Sequence, residues 1–176
     1  MSSIAKILPH YTYEDWVQWE GRWELLEGHP IAMSPSPVPK HQRVAAEIIT
    51  EFILTLRQSG CKSCRVYPDM DFKIANDTIL VPDILIVCGE INSKILDFAP
   101  ALIVEILSPS TALRDRNTKY QLYEREGVKY YLIVDVEKET VEINHLSSAG
   151  YTLQTNIRFD LEEGCSIEPN FSSIFL

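Results

Sequence analysis

The chain has 176 residues, 45% of them hydrophobic, and a formal net charge of −9. That length supports a core, and one domain over residues 1–176 is expected. The acid excess argues against a protein that coats nucleic acid through bulk charge, because such proteins are basic. No apolar run approaches the ~18 residues of a membrane span, and residues 1–16 lack the apolar stretch of a signal peptide. The expectation is a cytoplasmic protein without a membrane partner.

Thr12 followed by Tyr13, Glu14 and Asp15 marks a short helix start: a capping hydroxyl, then acids in the first turn. "RWELLEGHPIAMSPSP" reads as two strands around a Glu-Gly turn, closed by the Ser-Pro-Ser-Pro run. "HQRVAAEIITEFILTLRQSG" is the longest helical pattern, with Val44, Ile48, Phe52 and Leu56 recurring at i+4 and Gly60 as its stop. "CRVYPDMDFKIA" reads as extended and "ILVPDILIVC" as a buried strand. After a polar loop, "PALIVEILS" is another buried strand, and "TALRDRNTKYQLYEREG" a second helix ending at Gly127. "VKYYLIVDVE" and "TVEINHLS" form a hairpin around Lys138 and Glu139, with further β-structure beyond. The pattern is one α/β domain with a mixed sheet and two main helices.

Four cysteines are present. Cys61 and Cys64 form a C-x-x-C, while Cys88 and Cys165 stand far apart. A structural zinc site needs a second pair or suitably spaced histidines. The expectation is therefore incidental cysteines on a loop. A redox C-x-x-C opens a helix, whereas this one follows a helix.

The chemistry centres on Glu105. A carboxylate within an apolar strand is costly unless a partner, a proton or a metal compensates it. Asp83 begins "DILIV" on the neighbouring strand, so both acids can reach one sheet end, where they repel unless a cation lies between them. A hard cation such as Mg²⁺ suits a few carboxylates. The strand also presents the Ile106 carbonyl beside Glu105 as an additional ligand. The plainer alternative has Asp83 capping a turn and Glu105 paired with an arginine. Residues 110–129 carry five basic groups, among them Arg114, Arg116 and Lys119, against three acids. Asp115 and Lys119 stand at i,i+4, which equally fits a surface salt bridge. Ser108, Ser110 and Thr111 read as strand end and helix cap.

"VPDILIV", "ALIVEILSPST", "RDRNTKYQLYEREGVKYYLIVD" and the upstream "WELLEGHPIAMSPSPVPKHQRV" together resemble the Uma2 (DUF820) family, abundant in cyanobacteria, over roughly residues 10–146. The resemblance implies the PD-(D/E)xK fold: a restriction-endonuclease-like mixed β-sheet flanked by helices, here with an N-terminal β-hairpin extension. It makes Pro82-Asp83 the "PD" and Glu105 the acid. The usual lysine position holds Leu107, which departs from the plain motif, and Lys119 on the following helix is the displaced candidate. The family's hairpin glutamate matches Glu24, with Glu47 as an alternative, and its histidine matches His41, with Gln42 less supported. The implied activity is Mg²⁺-dependent endonucleolytic cleavage of DNA, with Mn²⁺ as a substitute. Arg114 and Arg116 would hold the nucleic-acid backbone, and a homodimer would cut both strands. Two alternatives are a catalytically silent nuclease-fold module and a structural oligomer with Trp16, Trp19 and Trp23 exposed as its interface. No phosphate-binding glycine loop, dinucleotide motif or H-E-x-x-H is present.

Overall fold

The computed structural model describes residues 8–33 and 38–176. The Ser-Pro-Ser-Pro run and the start of the chain lie outside the described residues. Helix α1 (Tyr13–Trp16) begins at Thr12, where Asp15 completes a capping box. Strands β1 (Trp23–Leu26) and β2 (His29–Ala32) pair antiparallel around Glu27-Gly28. Both turn residues have positive φ, 47° and 79°, the conformation a tight two-residue hairpin requires.

Helix α2 (Pro39–Ser59) buries Val44, Ile48, Phe52 and Leu56 along the expected i+4 stripe. Gly60 stops it with φ 74°, a left-handed position that a side chain would oppose. Strand β3 (Cys64–Pro68) follows, then β4 (Phe72–Ala75), β5 (Thr78–Leu80), β6 (Ile84–Cys88) and β7 (Leu102–Ile106). Two stretches read as continuous are thus split. "CRVYPDMDFKIA" divides into β3 and β4, and "ILVPDILIVC" into β5 and β6, because each stretch passes from one sheet to another. Pro82, with no amide hydrogen to donate, sits at the second break.

The second helical region is α3 (Ala112–Arg114), a π-helical turn (Asp115–Lys119) and α4 (Tyr120–Arg125), where a regular helix was expected. Strands β8 (Tyr130–Asp135), β9 (Thr140–Ser147), β10 (Gly150–Gln154), β11 (Phe159–Glu162) and β12 (Cys165–Ile167) complete the chain. The main sheet has six strands in the order β10-β9-β8-β7-β6-β3, and only its β7–β8 pair is parallel. The helical region supplies that crossover, as a parallel connection demands. A four-stranded sheet, β2-β1-β5-β4, and the β11–β12 hairpin complete the architecture.

Side chains alternate across the main sheet. Ile84, Ile86, Leu102, Val104, Leu132 and Val134 pack with the α2 stripe. Leu85, Val87, Ile103, Tyr131 and Ile133 pack on the other face with Leu122 and Tyr123 of α4 and with Phe72 and Leu80 of the smaller sheet. Each such apolar side chain contributes roughly 1.5–3 kcal/mol relative to exposure. Asp83 and Glu105 share the parity of Leu85 and Ile103, so sheet geometry aims both at the α4 face. The register pairs Ile84 with Val104, which sets Asp83 opposite Glu105 at one end of the sheet. No helix among the described residues is long and apolar enough to cross a membrane.

Candidate active site

Glu105 is 3% exposed, and its compensation is visible. Lys119 Nζ and the Tyr123 hydroxyl both donate to Glu105 Oε1, at 2.9 and 2.8 Å. The same ammonium lies 2.8 Å from Glu24 Oε1 and 3.7 Å from Asp115 Oδ1. Three carboxylates from β1, β7 and the π-helical turn thus surround one buried lysine. Glu24 Oε1 also accepts from the Val81 amide (3.0 Å), and Arg114 Nη2 lies 3.5 Å from Oε2.

Asp83 forms the neighbouring part of the site. Its Oδ2 accepts the Ile106 amide at 2.7 Å, tying it to the end of β7. His41, near the start of α2, reaches the same place. Its Nε2 donates to the Ile106 carbonyl at 3.0 Å and lies 3.6 Å from Asp83 Oδ2. The imidazole therefore sits between two of the oxygens expected as metal ligands.

These environments set the protonation states. Burial raises the Glu105 carboxyl well above its usual range, and Asp115, Asp83 and Glu24 push the same way against Lys119. Burial likewise raises Asp115, against the pull of Lys119. Burial alone would lower the Lys119 ammonium, but Glu105, Glu24 and Asp115 more than reverse it, so Lys119 stays charged. Burial also works against the His41 imidazolium, yet the hydrogen bond and charge of Asp83 carry it above its ordinary value.

Asp83, Glu105, Lys119, Glu24, His41 and the Ile106 carbonyl all enter this network. The i,i+4 pair of Asp115 and Lys119 is buried, not a surface bridge. Arg116 is elsewhere: it grips Glu142 of β9 with both terminal nitrogens, at 2.8 and 2.7 Å. The three tryptophans are half-buried, not exposed. Trp19 packs edge-on against Trp23, and the Trp16 ring nitrogen donates to the Trp23 carbonyl. With Arg22, Asp69 and Asp71 they line a cleft of about 390 Å³. Sequence reasoning missed Tyr123 and Asp115 as members of the site. Tyr123 lies four residues after Lys119, so a shared helix face was the available signal.

The donor set fits a hard divalent cation. Four carboxyl groups, Glu24, Asp83, Glu105 and Asp115, face two permanent cations, Lys119 and Arg114, so the acids outnumber the fixed cations by two before His41 is considered. Buried Asp115 Oδ1 and His41 Nδ1 lack hydrogen-bond partners among the described residues. All the prospective ligand atoms are oxygens, apart from the adjacent imidazole, and this is what Mg²⁺ or Mn²⁺ selects.

Comparison with known proteins decides the family. A family model, Uma2, described as "Putative restriction endonuclease", matches residues 11–174. The chain belongs to the Uma2 family. A curated relative, an uncharacterized protein of Synechocystis, is 28% identical over 156 residues, covering 84% of this chain and 80% of its own. Among solved structures, a DUF820 protein of Anabaena variabilis, titled a "putative nuclease", superposes with a TM-score of 0.71 at 18% identity. That match covers 94% of this chain and 97% of the other. The fold is thus the restriction-endonuclease-like mixed sheet of Uma2 proteins, with the β1–β2 hairpin as its N-terminal extension.

Proposed function

We propose that this Uma2 protein is a divalent-metal-dependent endonuclease acting on DNA. The observation that carries the reading is the convergence of Asp83 and Glu105 on one face of the sheet, within a cluster whose carboxylates outnumber its fixed cations by two. Asp83, Glu105 and the Ile106 carbonyl would hold Mg²⁺ or Mn²⁺, with His41 moving aside or turning to accept. When bound, such an ion supplies Lewis acidity toward a phosphoryl oxygen and a more acidic water. Lys119 fixes Glu105 and Glu24 and adds positive charge near the transition state. Its ammonium is held protonated among carboxylates, which favours electrostatic work over the role of a base. Arg114, bound to Glu24, orients the cluster and faces the phosphate backbone. Arg116, committed to Glu142, is a more distant backbone contact. A homodimer would bring a second site to the opposite strand.

A second reading has its own support. Lys119, Tyr123 and His41 already engage Glu105, Asp83 and the Ile106 carbonyl, so the network can persist without an ion. A catalytically silent nucleic-acid-binding module would look like this. Calorimetric titration of Mn²⁺ into wild type, Asp83→Asn and Glu105→Gln separates the two, followed by cleavage of supercoiled plasmid. Binding and nicking in the wild type, lost in both variants, is the expected result. Absence of Mn²⁺ binding at millimolar concentration would leave the silent module.

A further inference from the structure

The four cysteines, scattered at 61, 64, 88 and 165, meet at one place. This corrects the expectation of incidental loop thiols: the fold closes separations that carry no local signal. Cys64 opens β3 and stands directly opposite Cys88 of β6, with Cα atoms 3.9 Å apart. Cys61, just past Gly60, stands beside Cys165 of β12, with Cα atoms 5.3 Å apart. The sulfurs form two disulfide pairs, Cys61–Cys165 and Cys64–Cys88. The pairs also touch each other, Cys64 Sγ lying 3.5 Å from Cys165 Sγ. Glu162, which accepts from the Ser63 hydroxyl, places a carboxylate oxygen within 4.8 Å of both of those sulfurs.

We infer that in the reduced protein these four cysteines form a tetrathiolate site for zinc, separate from the acidic site and independent of the nuclease reading. Two unrelated structural disulfides need not be in contact, whereas here the Cys64 and Cys165 sulfurs bring the two pairs together. At a Zn–S distance of about 2.3 Å, the sulfurs of a tetrahedral site are about 3.8 Å apart. The Cys64–Cys165 edge is already close to that separation. The C-x-x-C spacing of Cys61 and Cys64 is the usual knuckle that supplies two of the four ligands. Cys64 and Cys165 are buried and Cys61 and Cys88 half-buried, so water competes poorly for the ion. Soft thiolates select zinc over the hard cation of the acidic cluster.

Reaching this state takes two electrons and two protons per disulfide from a dithiol reductant, which leaves as its own disulfide. The four thiols then release four protons as Zn²⁺ binds. The ion would pin the β11–β12 hairpin to edge strand β3 and to the end of α2.

The test uses the full chain, reduced with a dithiol, loaded with Zn²⁺ or Co²⁺ and desalted. About one zinc per chain should remain. Co²⁺ should give thiolate charge-transfer and tetrahedral visible bands. All four cysteines should resist alkylation until a chelator is added. Asp83→Asn and Glu105→Gln should keep this ion, while Cys61→Ser and Cys165→Ser should lose it. Should the serine variants fail to fold, wild-type alkylation with and without chelator is decisive alone. Four freely alkylated thiols with zinc present, or disulfides that persist through reduction, would overturn the proposal.

Discussion

Lys119 ties the stability of the fold to the candidate site. The residue is 3% exposed, and its ammonium stands among Glu105, Glu24 and Asp115. Removing one partner of a buried charge network is costly because the others stay behind uncompensated. Lys119→Met is therefore expected to lose about 3–5 kcal/mol in urea unfolding. Adding Glu105→Gln should recover a large part of that loss, since the pair is coupled. Strictly additive losses would mean that the lysine does not compensate Glu105. His41 offers a test in pH. Its folded pKa is raised above its ordinary value of 6.5, so folding takes up its proton. The stabilisation is fully present below about 6.5 and is lost as pH rises through the higher folded value. In chelator, the stability difference between wild type and His41→Gln should therefore shrink as pH rises through that window. A difference independent of pH would remove the Asp83–imidazolium contact as its source.

At the scale of elements, the helical region with its π turn presents Arg114, Asp115, Lys119 and Tyr123 to the same sheet end. Such turns carry one extra residue and recur at functional sites. Asn117 is exposed within it. Deleting Asn117 should close the turn into regular α-helix, leave Leu122 and Tyr123 docked, and re-aim the residues within the turn, Asp115 and Lys119, relative to Glu105. Groups supporting a metal's ligands typically account for about 10–100-fold in affinity. The deletion should therefore weaken Mn²⁺ binding by that order with helical circular dichroism retained. Unchanged affinity would show that the π turn has no part in the site. The π turn also marks where sequence reading stops. The α2 stripe was legible because Val44 to Leu56 keep the helical period, and the buried strands because their apolar runs end at turn residues. Asp83 and Glu105 were legible as polar exceptions in those runs, and Lys119 through a family pattern. A π turn leaves no distinct period, and the β5–β6 break hides within an apolar run around Pro82. The cysteine cluster needs the tertiary fold, because nothing near Cys88 or Cys165 in sequence announces the partners.

At the scale of the whole molecule, the proposed function sets an acidic chain against a polyanion. The net charge is −9, the acidic cluster holds two more carboxyl groups than fixed cations, and both arginines assigned to the backbone are tied to carboxylates, Arg114 to Glu24 and Arg116 to Glu142. Long-range attraction is therefore not what would bring the proposed DNA substrate to this protein. A bound divalent ion would offset that excess where the scissile phosphate has to sit. DNA binding should accordingly require the ion. Measured by fluorescence anisotropy with Ca²⁺ in place of Mg²⁺, affinity should vanish on adding chelator. The salt dependence should also be shallow for a DNA-binding protein. About two or three phosphate contacts correspond to a loss of about 10- to 40-fold in affinity between 50 and 200 mM salt. Arg114→Gln should reduce that slope by about one contact. Binding that survives chelator with a steep slope would relocate the interface to a basic surface away from Asp83 and Glu105. Binding indifferent to salt would mean that the phosphate backbone is not what the protein holds.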